Sequence, residues 1–132
     1  MVSICGVSSK YARGSTEPLP NIDARFRVFL PWINQTSNLT VRFEDLIGPK
    51  GNGTIIRQYN TLTRISNHIG LNLDPGELER IAQNTYNPKS ETFHRGQIGV
   101  WKDMFRQTHV QMFKKIAGNL LVELGYENNT DW

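Results

Sequence analysis

A single cysteine, Cys5, stands in the 132 residues, so no disulfide can close within the chain, and no Cys/His group has metal-ligand spacing. A reducing, cytoplasmic interior is the expectation. Also missing is any apolar run long enough to cross a bilayer. The N-terminus has neither the charged start nor the unbroken apolar stretch of a secretory signal. No membrane partner is expected, and the Asn-x-Thr triplets at Asn34, Asn38, Asn52 and Asn128 then carry no meaning as glycosylation acceptors. Charge of one sign is scarce as well. Fifteen Lys and Arg stand against twelve Asp and Glu, a net charge of +3, and Asp74, Glu77 and Glu79 sit together rather than leaving a basic arm. That balance suits an anionic ligand and is too small to argue for nucleic acid. The turn Gly48-Pro49-Lys50-Gly51-Asn52-Gly53 has the glycines and lysine of a nucleotide-binding P-loop but not its spacing. No internal repeat or low-complexity stretch is present.

What the chain does have is the run Thr92-Phe93-His94-Arg95-Gly96-Gln97-Ile98-Gly99-Val100-Trp101-Lys102. It sets basic side chains beside two flexible glycines and closes on a large aromatic residue. Gly96 lets backbone approach a ligand closely and turn an N–H toward a phosphate oxygen. Arg95 adds a forked, permanently charged donor that phosphate accepts in pairs. A helix starting near Gly99 would bring its free N–H groups and positive dipole end to the same place. The loop reads as a phosphate clamp of His94, Arg95, Gly96 and Lys102, with Trp101 pinning it to the core. Glycine-rich turns with a neighbouring arginine also occur in proteins that bind nothing, and a lone histidine such as His94 is commonly a surface or capping residue.

The segment Phe93, His94, Arg95, Gly96, Gly99, Trp101 and Lys102 resembles a late motif, Phe-Arg-Lys-Gly-x-x-Gly-x-Trp-Lys, of sulfotransferases that use 3′-phosphoadenosine-5′-phosphosulfate (PAPS). Upstream, Val41-Arg42-Phe43-Glu44-Asp45-Leu46 resembles that family's strand and Glu-Asp-Leu turn. Downstream, Leu120-Leu121-Val122-Glu123-Leu124-Gly125-Tyr126 resembles its last helix and Gly-Tyr exit. The similarity runs in order from about Phe26 to the C-terminus. It implies a cofactor, PAPS or 3′,5′-adenosine bisphosphate, bound at His94, Arg95, Gly96 and Lys102, with no metal. It also implies a reaction, sulfuryl transfer to a hydroxyl or amine acceptor. Two departures stand out. The first basic position of the motif is His94, and no phosphosulfate loop of the type Pro-Lys-Ser-Gly-Thr-Thr, no second Arg/Ser phosphate contact and no catalytic base is found between Met1 and Ile22.

Along the chain, Met1 to Pro20 reads as irregular, with Val2-Ser3-Ile4 as a possible short edge strand, and residues 21–132 as the sulfotransferase-like part of one partial domain. Asn21 caps a helix from Ile22 to about Leu30 that Pro31 stops. Leu39-Thr40-Val41-Arg42-Phe43 alternates and is rich in strand formers, so it is the one firm strand. Glu44 and Asp45, at its end, point to opposite faces and read as structural. Thr54 caps a helix with the stripe Ile55, Tyr59, Leu62, Ile65 and Ile69, closed by Gly70. Asp74-Pro75-Gly76-Glu77 opens another helix, and Thr108 caps the last, whose core side is Phe113, Ile116, Ala117, Leu120 and Leu124. A lone strand leaves its ladder groups unpaired. The fold class expected is therefore α/β, the helix-rich C-terminal part of a parallel-sheet, P-loop-like sulfotransferase fold with its sheet incomplete. A truncated reading frame or a second chain would supply the missing strands. Two functions remain open: a chain that contributes the PAPS phosphate loop without catalysing alone, and a non-enzymatic nucleotide-binding remnant or sheet-completing subunit.

Overall fold

The computed structural model describes residues 20–91 and 93–132. The irregular segment and edge strand expected before Pro20, with Cys5, lie outside the described residues, as does Thr92. The chain divides into two compact units, one of Thr36–Met104 and the other of residues 20–35 with Phe105–Trp132.

Within Thr36–Met104 the elements are α3 (Phe43–Leu46), a 3-10 turn (Pro49–Gly51), α4 (Ile55–His68), α5 (Pro75–Thr85) and α6 (Trp101–Met104), following α1 (Ile22–Arg27) and α2 (Leu30–Ile33) of the other unit. Thr54 opens α4 as its side chain accepts the Arg57 N–H at 3.3 Å. Asp74 opens α5 with a complete capping box: its carboxylate accepts the Glu77 N–H at 2.9 Å, and the Glu77 carboxylate accepts the Asp74 N–H at 3.0 Å. Two orphan donors of the first turn are thereby satisfied, and Pro75 occupies a first-turn position where no N–H is needed. Helix α4 packs against both α3 and α5. Its buried residues are Gln58, Thr61, Leu62 and Ser66. Of the expected stripe only Leu62 is among them: Tyr59 and Ile65 are half-buried, and the two ends, Ile55 and Ile69, lie exposed.

The end of α5 is held from α4 and from the 3-10 turn. The last four carbonyls of a helix have no partner inside it. Gln58 donates its buried side-chain amide to the Ala82 carbonyl at 3.1 Å, and Lys50 donates to the Gln83 carbonyl at 3.4 Å.

The other unit packs α1 against α2 and against α7 (Gln107–Glu123). Asn21 caps α1, accepting the Ala24 N–H at 2.9 Å. Arg27 bridges α1 to α7, donating to Asp23 at 2.9 Å and to Glu123 at 3.2 Å. Ala117, Gly118 and Leu120 form the buried side of α7, and Phe105 lies against Phe113 with ring centroids 6.4 Å apart. Lys114 donates to the Trp132 carbonyl at 2.6 Å and lies 5.5 Å from the centre of its indole ring.

The expected α/β class, with the helix-rich part of an incomplete parallel sheet, is corrected: among the described residues every regular element is helical and no strand occurs. The strand predicted over Leu39–Phe43 is absent. Residues 39–42 carry no regular structure, and Phe43 begins α3 after Arg42, which holds extended angles as its N-cap. An isolated apolar alternation has no ladder to join, whereas Glu44 and Asp45 favour the positive end of a helix turn. Pro31 does not stop a helix but sits in the first turn of α2, where its missing N–H costs nothing. The last helix starts two residues earlier than predicted, with Arg106 rather than Thr108 as N-cap. Its first turn is closed by His109, whose Nδ1 accepts the Arg106 N–H at 3.2 Å.

Candidate anion-binding loop

The loop 93–102 belongs to the unit Thr36–Met104, and its shape is set by backbone conformations that glycine makes possible. Arg95 and Gly96 are consecutive left-handed residues, with φ of 57° and 56°. Arg95 is one of two non-glycine residues with positive φ among the described residues. Such a conformation brings Cβ close to the carbonyl oxygen and persists when the surroundings hold it. Gly96 has a second constraint: a Cβ there would fall 2.6 Å from the Phe93 ring and 3.2 Å from the Tyr86 ring. Those rings meet edge to face, centroids 5.3 Å apart at 76°.

The Gly96 N–H, which the sequence places toward a ligand, donates instead to the His94 carbonyl at 2.6 Å and closes a three-residue turn. The loop backbone is held on both sides. Tyr86 donates its hydroxyl to the Arg95 carbonyl at 3.4 Å, and the Ile98 N–H donates to the Gly51 carbonyl at 2.9 Å. Further on, the Lys102 N–H donates to the Gly99 carbonyl at 2.9 Å, and the chain enters α6, which starts at Trp101 and is four residues long.

His94 and Arg95 lie exposed on the same bend, and Lys102 is exposed in α6, its ammonium 5.9 Å from the Trp101 ring centre. Trp101 does not anchor the loop in the core, for it is 45% exposed. An exposed guanidinium keeps its water until an anion replaces it, and a phosphate can accept two parallel N–H donors from its fork. Three further cations, Arg106, Lys114 and Lys115, belong to the other compact unit, and Lys114 is engaged by Trp132.

Asp45 accepts from Arg57 at 3.4 Å and ties α3 to α4, a bridging role, while neither carboxylate of the Glu44-Asp45 pair stands on a strand. A cavity of about 220 Å³ opens between the 3-10 turn, α4 and α5, walled by Ile47, Lys50, Gln58, Tyr59 and Tyr86 among others. Among the described residues, no group of three or more His, Cys, Asp or Glu is placed to hold a metal ion, and no helix is long and apolar enough to cross a membrane.

Gly51 and Tyr86 escaped the reading of the motif. Gly51 is visible in sequence only as part of a turn that fails the P-loop spacing, and Tyr86 sits in a bend nine residues before the carbonyl it touches. Neither spacing signals contact with the loop. Comparison with known proteins finds no match: no family model matches the chain, and neither a curated protein nor a solved structure does.

Proposed function

We propose that the bend His94-Arg95-Gly96, with Lys102 in the helix that follows, receives the 3′-phosphate of an adenosine bisphosphate. This is the part that the similar motif plays toward PAPS in sulfotransferases. One observation carries the reading: Arg95 is held in a left-handed conformation, at φ 57°, in a bend whose backbone is tied to Tyr86 and Gly51 while its own side chain stays in solvent. Strain of that kind gathers at ligand clamps, where the bend serves to aim a side chain. The forked donor of Arg95 supplies paired hydrogen bonds, and His94 and Lys102 supply further donors. The Gly96 amide contributes no hydrogen bond to the anion in this geometry, so recognition rests on side chains. The wider reaction, sulfuryl transfer from PAPS to a hydroxyl or amine, would draw on this chain for nucleotide binding, and no residue of it is assigned as a base. The reading carries a cytoplasmic setting with it, which the single cysteine supports.

Titration calorimetry with 3′,5′-adenosine bisphosphate tests the proposal. Saturable binding is expected, together with its loss in Arg95→Ala. His94→Arg, which restores the second permanent charge of the similar motif, is expected to tighten binding by roughly a few-fold, as fits an exposed ion pair. Absence of heat up to millimolar nucleotide would defeat the reading.

A further inference from the structure

We infer that Gly51 and Tyr86, which touch no ligand themselves, are the positioning residues that set the backbone of the phosphate loop and hence its affinity; the functional half of this inference rests on the clamp reading above. Gly51 is buried at the end of the 3-10 turn, and its carbonyl receives the Ile98 N–H at 2.9 Å. A Cβ at residue 51 would stand 2.6 Å from the Gly96 carbonyl oxygen and would also run into the Ile47 side chain. Ile47 is itself buried and branched at Cβ, so its side chain has little room to turn aside. The Gly96 carbonyl is backbone, so it moves only if the loop moves with it.

The turn that carries Gly51 is itself firmly tied. The Gly48 carbonyl accepts the N–H groups of both Gly51 and Gly53, at 3.1 and 2.8 Å, and Lys50 reaches the end of α5 at the Gln83 carbonyl. On the other side of the loop, Tyr86 follows directly on α5, holds the Arg95 carbonyl and packs its ring on Phe93. The carbonyls of Arg95 and Gly96 and the amide of Ile98 are thus all set against residues anchored to α5. Arg95 would relax out of its left-handed conformation without such support, because that state is disfavoured for a side chain with a Cβ. Gly51 and Tyr86 supply it. Displacing a binding group by a fraction of its reach weakens an anion site steeply, since paired hydrogen bonds demand both distance and direction.

The test compares Gly51→Ala and Tyr86→Phe with Gly70→Ala, which adds the same methyl group at φ 74°, a strained backbone, but where no atom lies within 4 Å of the added carbon. Binding of 3′,5′-adenosine bisphosphate is measured by calorimetry and the amide exchange of Ile98 by NMR. Gly51→Ala is expected to weaken nucleotide binding about tenfold or more, as misplacement of a positioned group does, while Gly70→Ala binds as wild type at a comparable melting temperature. Tyr86→Phe removes one hydroxyl without enlarging any side chain and is expected to weaken binding by roughly a few-fold. It keeps the question open to test if Gly51→Ala fails to fold. Both variants are expected to speed Ile98 exchange relative to Gly70→Ala. If wild type binds and the folded variants bind equally well, the inference is overturned while the clamp stands. If wild type does not bind, the clamp reading falls and exchange decides the rest: an Ile98 amide exchanging at the wild-type rate in both variants would overturn the positioning role, and faster exchange would sustain it.

Discussion

Arg95 and Gly96 share one backbone conformation for different reasons, and substitutions separate them. At Arg95, with φ 57°, glycine relieves the Cβ strain and alanine does not, so Arg95→Gly is expected to melt above Arg95→Ala although both lose the charge. At Gly96 the added methyl meets both φ 56° and the Phe93 and Tyr86 rings. Gly96→Ala is therefore expected to destabilise the unit by roughly 1 kcal/mol or more, read from thermal unfolding. Gln58 is the buried counterpart: it is 3% exposed, and its amide satisfies the Ala82 carbonyl at the end of α5. Gln58→Ala removes that bond and leaves a void, a loss of about 2 kcal/mol measurable by urea unfolding. The glycine at 96 is conspicuous in the sequence, as is the arginine beside it. What the sequence conceals is that the space next to Gly96 is filled by two aromatic rings, because Tyr86 reaches it across a bend that no local pattern specifies.

Among the elements, the starts of α1, α4 and α5 were legible, and the strand and the start of α7 were not. Asn21, Thr54 and Asp74 cap α1, α4 and α5 as their side chains predict, because a cap is a bond between residues three apart and needs no tertiary partner. Asp74→Ala breaks both halves of the capping box and is expected to cost about 1 kcal/mol, seen as a lower melting temperature and faster exchange of the Glu77 amide. Leu39–Phe43 has the composition of a strand, yet strand stability lies in the neighbour's hydrogen bonds, and α3 takes Phe43 instead. Arg106 as the cap of α7 was missed for the reverse reason: the acceptor comes from the ring of His109, not from the capping residue itself.

For the molecule as a whole, few apolar residues are buried among the described residues: Ile47, Leu62 and Ala82 in one unit, Ala117 and Leu120 in the other. Phe29, Trp32 and Ile56 are all more than half exposed. Circular dichroism and the infrared amide I band of a chain starting at Pro20 are expected to report helix, and a clear sheet band would overturn the all-helical reading of these residues. The amino-acid sequence by itself determined the helix caps, the chemistry of the Phe93–Lys102 segment and the need for glycine in its bends, since these depend on side-chain type and on bonds between near neighbours. The tertiary structure decided the rest. It left residues 39–42 of the expected strand irregular and gave Phe43 to a helix, turned the Gly96 amide onto His94, left Trp101 at the surface and brought Gly51 and Tyr86 to the loop. Each of those outcomes depends on which distant backbone or ring fills the adjoining space, and spacing along a chain does not carry that information.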